Sequence, residues 1–544
     1  MERKRKRPTN GSPDASSAHS KPSSGGSLTG TSDEQHCPPR ASSTTTATPI
    51  KRNKHEPSSS SAMSASSSSS ASSSFHPYGV KPWGNFYFSD KADSCRDSGL
   101  GAIAVLEDSV VMELLHWCSA KDLCCLARVS KALYVFCHEE EPWKSLCLSN
   151  FGGDFQFQGS WKETYRHKAK PDIAVPHVPL QVTNFYSDTL LEPWHCITMS
   201  LERFAAVDNI DRRSGLSVED FIAEYETPNK PVIITDIVTD WPAFKEQRWS
   251  KENLLANYGD IRYKTGTVEM RLRDYFQYCE RCTREETPLY LFDNQFAEKA
   301  PQWLEDYQIP PYFREDLFAL IPATAKRPSY RWNLIGPARS GSTFHKDPNS
   351  TSAWNGLISG RKKWILYPPN ISPPGIYPSE DHFQVTCPVS VLEWFLKFYD
   401  QVHHKNSNEE EEQEEATPSF SFLNNNKKKE PHQQTQPIEC VLRAGELLFI
   451  PNGWWHTALN LEESIAVTQN YVNPRNLQNV LKFLRAKENP RLLTQFTEAL
   501  REQRPQLLEE AERSIEQEKR AKLSLWDKLT QNNHSFSLFG NNNQ

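Results

Sequence analysis

The chain has 544 residues, a formal charge of −6 and 11% aromatic residues. That length allows two to four domains with a substantial core, and so mild a charge implies no nucleic-acid or membrane partner by itself. No apolar run is long enough to span a bilayer and no secretory leader is evident, so the twelve cysteines, scattered without framework spacing, read as reduced thiols of an intracellular protein.

Residues 1–84 are rich in Ser, Thr, Pro and Ala. They hold too little apolar surface to offset chain entropy, and disorder is expected. Two basic blocks stand in this tail, Arg3-Lys4-Arg5-Lys6-Arg7 and Lys51-Arg52-Asn53-Lys54. They read as nuclear-import signals, which places the protein in the nucleus, or as weak nucleic-acid contacts.

Residues 100–165 carry a helical pattern. Val110, Val111, Leu114 and Leu115 recur at helical spacing, as do Leu123, Leu126, Val129 and Leu133; Ser119 and Asp122 are candidate caps. The run Leu106, Leu114-Leu115, Asp122-Leu123, Leu126-Ala127, Val129-Ser130-Lys131, Pro142-Trp143 and Leu146 resembles an F-box, although Glu107 stands where a proline usually follows the first leucine. That resemblance implies a small all-α module docking to the Skp-type adaptor of a cullin ubiquitin ligase. The alternative is a helical support packed on the domain that follows.

Residues 184–327 read as α+β. Ser217 with Asp220 three positions on makes a box-like helix start, and Lys230-Pro231-Val232-Ile233-Ile234 is a turn followed by a strand. Cys279-Glu280-Arg281-Cys282 is a lone C-x-x-C with no second pair, which is weak as a metal site. A region of strands follows at 328–475. It is interrupted near 391–396 by a helical pattern and at about 403–436 by glutamate, asparagine and lysine tracts that do not pack, so a disordered insertion is expected there. After Pro474, Leu477, Val480, Leu481 and Leu484 form one apolar helix face. Charged helices run to about 530, and residues 531–544 form a flexible Asn-rich tail.

Two stretches in the strand region carry chemistry. The first contains Phe344-His345-Lys346-Asp347; the second is Gly445-Glu446-Leu447-Leu448-Phe449-Ile450-Pro451 followed by Gly453-Trp454-Trp455-His456. Residues two apart on a strand share a face, so His345 and Asp347 point together while Lys346 points elsewhere. With His456 they offer two imidazoles and one carboxylate, a set that suits non-haem Fe(II) with three positions open. In Lys362-Lys363-Trp364-Ile365-Leu366-Tyr367, Lys362 is in phase with Trp364 and Leu366; in the alternative phase Lys363 points inward. An inward lysine needs an anion. Thr468 is in phase with Ala466 and Asn470. Together Lys362 and Thr468 would hold the distal carboxylate of 2-oxoglutarate.

These motifs resemble the Jumonji-C oxygenases: Gly341-Ser342-Thr343-Phe344-His345-Lys346-Asp347-Pro348, Thr351-Ser352-Ala353-Trp354-Asn355, and Pro451-Asn452-Gly453-Trp454-Trp455-His456. Pro288-Leu289-Tyr290-Leu291-Phe292-Asp293 extends the match upstream, so that it covers about 201–472. The branch they resemble is the arginine demethylase and lysyl-hydroxylase group once called the phosphatidylserine receptor, in its plant-type form with an F-box-like module. The resemblance implies a double-stranded β-helix with flanking helices and iron on His345, Asp347 and His456. It places 2-oxoglutarate against Asn355, Lys362 and Thr468, helped by Tyr290, with Ser342 keeping the hydroxyl of the more usual threonine. It implies hydroxylation of lysine or demethylation of methylarginine in basic peptides of nuclear proteins such as histones or splicing factors, with O₂ as co-substrate, and a homodimer through the C-terminal helices. A ubiquitin-ligase substrate receptor and a scaffold tethered to nucleic acid are the competing readings.

Overall fold

The computed structural model describes residues 76–88, 94–172, 179–325, 327–379, 385–387, 389–403, 436–487 and 490–533. The basic blocks, the serine runs, the acidic and Asn/Lys tracts and residues 534–544 of the Asn-rich end lie outside these residues, while its first three residues continue the helix Pro505–Asn533.

The strands are β1 (Arg212–Arg213), β2 (Val232–Ile234), β3 (Arg262–Thr265), β4 (Val268–Arg271), β5 (Leu291–Asp293), β6 (Arg331–Gly336), β7 (Gly341–His345), β8 (Ser352–Ser359), β9 (Arg361–Tyr367), β10 (Tyr377–Pro378), β11 (Val385–Thr386), β12 (Ile438–Arg443), β13 (Leu447–Ile450), β14 (Trp455–Asn460) and β15 (Ser464–Tyr471). Among the described residues the larger sheet runs β1-β2-β13-β8-β15-β6-β5-β3-β4, and a four-stranded sheet runs β12-β9-β14-β7. The chain passes from β6 to β7, β8 and β9 by crossing between the two sheets each time, and does so again from β12 to β15. All pairs among these eight strands are antiparallel. This is a double-stranded β-helix.

Side-chain alternation decides what each face does. Leu334, Ala353, Leu357, Trp364, Leu366, Cys440, Leu442, Leu448, Ile450, Ala458 and Ala466 fill the space between the sheets. The residues of opposite phase on β9, β12 and β14, among them Ile365, Tyr367, Val441, Trp455 and Leu459, pack beneath the helix Val391–Lys397 on the outside of the smaller sheet. That helix begins with a capping box of Ser390 and Glu393. Lys362 and Lys363 are both buried, at 1% and 0% exposure. They take opposite faces: Lys362 points into the barrel, and Lys363 points outward into an ion pair with Glu439 at 2.5 Å.

The N-terminal helices Asp108–His116, Ala120–Leu126, Lys131–Phe136, Glu140–Phe151 and Trp161–Ala169 form where the apolar periodicity places them, and Ser119 and Asp122 make a capping box. They have no core of their own. Val111, Leu115, Trp143, Phe155 and Trp161 belong to the same cluster as Tyr278, Trp354 and Val467 of the β-sheet region. Gly153 lies so close to β4 that a Cβ there would come within 2.1 Å of the Glu269 carbonyl oxygen. Three of the eight residues of the expected apolar faces point out instead: Val110, Leu114 and Val129 are exposed, together with Val105 and Trp117. At the other end, Leu477, Val480, Leu481 and Leu484 pack with Phe496, Leu500 and Leu508 against Leu317 and Phe318. Among the described residues no helix is long and apolar enough to cross a membrane.

Candidate active site

His345 ends β7, and Asp347 follows as the residue before the turn Pro348–Ser350. His456 lies on β14 directly opposite His345. The register slips between His456 and Ala458, and such a bulge re-aims the side chains beside it. The two imidazoles face each other with ring centroids 4.2 Å apart, and one ligand atom from each of His345, Asp347 and His456 lies within 4.8 Å of the others. Lys346 points away, donating to the Pro369 carbonyl oxygen at 2.9 Å and lying over Trp455.

The protonation pattern suits a metal. His345 Nδ1 donates to the Thr343 carbonyl at 2.7 Å and His456 Nδ1 to the Trp454 carbonyl at 3.0 Å. Each tie leaves Nε2 as a lone-pair donor. Burial first, and then the neighbouring His345, pull the His456 pKa down to about 4, so its imidazole is neutral at physiological pH. Asp347 Oδ2 is buried and accepts no hydrogen bond, a costly state that a cation relieves. Two imidazole nitrogens and one carboxylate oxygen fit Fe(II) of the facial-triad type. Cys279 and Cys282 have no such arrangement: burial pushes both thiols up, Cys282 to about 12. Among the described residues the triad is the one group of metal-ligating side chains that converges.

The polar residues expected around 2-oxoglutarate share the barrel interior. Lys362 on β9 is buried at 1% and donates to the Tyr290 hydroxyl at 2.9 Å; burial lowers its pKa to about 7. Asn355 on β8 stands opposite Thr468 on β15. The Asn355 carbonyl oxygen is buried with no donor, and the Thr468 hydroxyl donates to the Trp354 carbonyl oxygen. Ser342 faces inward opposite Ala458. It lines a cleft of about 330 Å³ that includes His345, Thr343, Pro288 and Glu286, so it sits at the mouth beside the triad. Burial raises the Tyr290 hydroxyl pKa.

Sequence reasoning passed over Asn460. It pairs with Lys362 across β14 and β9 and is fully buried. It donates to the Ser340 hydroxyl at 2.8 Å while its own carbonyl oxygen has no donor. Its spacing of four from His456 on one strand was the available signal. Gly336 is required beside it, because a Cβ there would lie 2.6 Å from the Tyr290 ring and 2.7 Å from the Asn460 amide.

The chain is similar in sequence to known proteins. A family model described as a cupin-like domain matches residues 258–476. The chain is 42% identical over 478 residues to the arginine-specific demethylase JMJ22 of Arabidopsis thaliana, covering 85% of this chain and 89% of that one. It is 36% identical over 312 residues to the bifunctional arginine demethylase and lysyl-hydroxylase psr-1 of Caenorhabditis elegans, covering 56% and 70%. The human 2-oxoglutarate and iron-dependent oxygenase JMJD4 is 28% identical over 305 residues, covering 51% and 64%.

Proposed function

The chain belongs to the Jumonji-C branch of the cupin-like proteins, oxygenases that use Fe(II), 2-oxoglutarate and O₂, and we propose that its substrate is methylarginine, or lysine, in basic segments of nuclear proteins such as histones or splicing factors. The observation that carries this reading is the convergence of His345, Asp347 and His456 within 4.8 Å in the same barrel interior as the buried Lys362 ammonium. Arginine demethylation comes first because the relative at 42% identity carries that name; lysyl hydroxylation is the second activity in the name of psr-1. The nuclear setting follows from the two basic blocks of the N-terminal tail.

In this reading the triad holds the iron, and Lys362, Tyr290, Asn355 and Thr468 hold 2-oxoglutarate. When bound, these groups supply an oxidation that splits 2-oxoglutarate to succinate and CO₂ and inserts one oxygen atom of O₂ into a C–H bond. On an N-methyl group the product sheds formaldehyde; on a lysine carbon the hydroxyl stays. The chain's own part is placement. The Nδ1–carbonyl bonds fix both imidazoles. Lys362, deep among apolar neighbours, supplies a positive charge that selects a dicarboxylate. Trp364 lies 6.0 Å from the His456 ring and helps to keep water from the centre. No side chain need take the substrate's proton.

The deciding experiment is mass spectrometry of methylarginine-containing and lysine-containing histone peptides after incubation with the protein, Fe(II), 2-oxoglutarate and O₂. Loss of one CH₂ from methylarginine supports demethylation, and gain of one oxygen on lysine supports hydroxylation. Unmodified peptides with no succinate formed would refute the oxygenase reading of this chain.

A second role has its own observation. Val105, Leu114, Trp117 and Val129 project from the N-terminal helices at 87%, 50%, 83% and 70% exposure. Four large exposed apolar side chains within one short segment are more than scattered surface residues require, and the F-box-like order of this segment makes a Skp-type adaptor the partner we favour.

A further inference from the structure

A second cavity, of about 430 Å³, lies between the N-terminal helices and the loop that precedes Pro288. Its size is that of a ligand site, about 300–1,000 Å³. Six of its lining residues are glutamates, against two lysines and one arginine. Tyr78, Trp161 and Trp194 give it aromatic walls. Glu286 and Thr287 line both this cavity and the cleft that reaches His345, so a peptide lying in the cleft has a side pocket within its path.

Two carboxylates here are under-partnered for their burial: Glu285 has one ammonium for two oxygens, and Glu139 has an oxygen with no donor. Glu285 is 5% exposed, and neither of its carboxylate oxygens accepts a hydrogen bond; the Lys144 ammonium at 3.0 Å is shared with the Thr287 carbonyl oxygen. The buried Oε1 of Glu139 likewise accepts none. The group beside it, His76 Nε2 at 3.7 Å, is kept neutral by burial, with its pKa lowered to about 4. Burial raises the carboxyl pKa of Glu139 to about 8, and burial also raises that of Glu140, to about 7. A cation entering the cavity would stabilise the ionised forms of both. A bare metal ion does not suit it, because among the described residues only the triad brings three ligand atoms together. An organic cation with a flat face does. A guanidinium pairs with carboxylates through two parallel N–H bonds and stacks on aromatic rings.

We propose that this cavity receives a second arginine side chain of the peptide being oxidised, one separate from the residue presented at the triad. The proposal rests on the reading of the chain as an oxygenase of basic peptides, and it adds how such a peptide is selected.

The test uses the full chain and a fluorescently labelled, unmethylated tetra-arginine peptide, with anisotropy as readout. The wild-type protein should bind it, and Glu139→Gln and Glu285→Gln should each weaken binding about tenfold or more, the scale for losing one partner of a buried charge pair. Thr189→Arg places a guanidinium at the exposed rim of the cavity, leaves the core untouched, and should compete with the peptide and abolish binding. This last variant keeps the test decisive if a buried glutamine impairs folding. Absent binding by the wild-type protein, or equal binding by Thr189→Arg, overturns the proposal. Succinate formed by the wild-type protein without peptide is measured in parallel. If that is missing while peptide binding still responds to the substitutions, the oxygenase reading fails and the cavity assignment stands.

Discussion

The Lys362 ammonium meets the Tyr290 hydroxyl at 2.9 Å inside the barrel, with no carboxylate among the described residues paired to it. A buried ammonium held only by a neutral hydroxyl is an anion site waiting for its anion. Lys362→Ala should therefore raise the 2-oxoglutarate concentration needed for half-maximal succinate formation by about two orders of magnitude, within the range of about 2–5 kcal/mol for truncating one member of a buried charge pair. An unchanged requirement would place the distal carboxylate elsewhere.

The same group sets a pH dependence. Burial lowers the Lys362 pKa from 10.5 to about 7, so between those values the unfolded chain binds one more proton than the folded one. The ligand-free protein should lose stability as the pH falls from about 10 toward 7 and then level off. Lys362→Met should lack that slope. Because 2-oxoglutarate favours the charged lysine, its affinity should fall as the pH rises above about 7. Thermal melts of both proteins across this window test the point, and parallel curves would contradict it.

His345→Ala and Asp347→Ala should abolish 2-oxoglutarate turnover while leaving the cooperative melt in place, since both side chains are half-buried at the mouth and lie outside the apolar clusters. Asp347→Ala also removes a buried oxygen that has no donor, so the ligand-free variant should melt no lower than the wild type. Succinate still formed by either protein would count against the assigned ligands.

Lys363 and Glu439 form a pair in which each residue is 0% exposed, joined by the Tyr399 hydroxyl and by His403. Lys363→Met should cost about 3 kcal/mol by leaving the buried Glu439 carboxylate without its ammonium, with only Tyr399 and His403 beside it, and adding Glu439→Leu should recover most of it. Chemical denaturation of the two single variants and the double variant measures this. Additive losses would show that the two residues do not act as a pair.

Trp117 is 83% exposed. Trp117→Ser should change stability by no more than about 0.5 kcal/mol and should sharply reduce capture of a purified Skp-type adaptor. Undiminished capture would remove this face from the docking site.

The parts of the site that the chain announces are those with strong local periodicity. Alternation marks β7, β9, β14 and β15, and the two-residue step from His345 to Asp347 marks a shared face. Lys362 and Lys363 show where local pattern stops. Adjacent residues on a strand face opposite ways, and a polar residue reads as outward by default, so nothing nearby reveals that both faces of β9 are covered. The cover comes from residues distant in the chain, Tyr290 on one side and Glu439 on the other. Asn460 was missed for the same reason: its partner, Ser340, is 120 positions away. The N-terminal helices were legible as helices from their spacing and from the Ser119–Asp122 cap. Which of their apolar residues face inward depends on the β-sheet region beside them, and Val110, Leu114 and Val129 lie outside.

The aromatic cluster that joins the N-terminal helices to the barrel sets the size of the heritable piece apart from the size of the cooperative one. Phe157 meets Tyr278 edge-on at 5.1 Å and Trp161 meets it tilted at 5.9 Å, and Trp241 stands against Trp354 at 5.9 Å. The segment recognisable across distant kin, 258–476, contains only one partner of each of these contacts. Evolution can therefore exchange what precedes that segment only together with a replacement wall for the same rings. For this chain, the helices that resemble a portable adaptor-binding module are welded in, so a partner gripping them also pulls on the scaffold of the catalytic barrel.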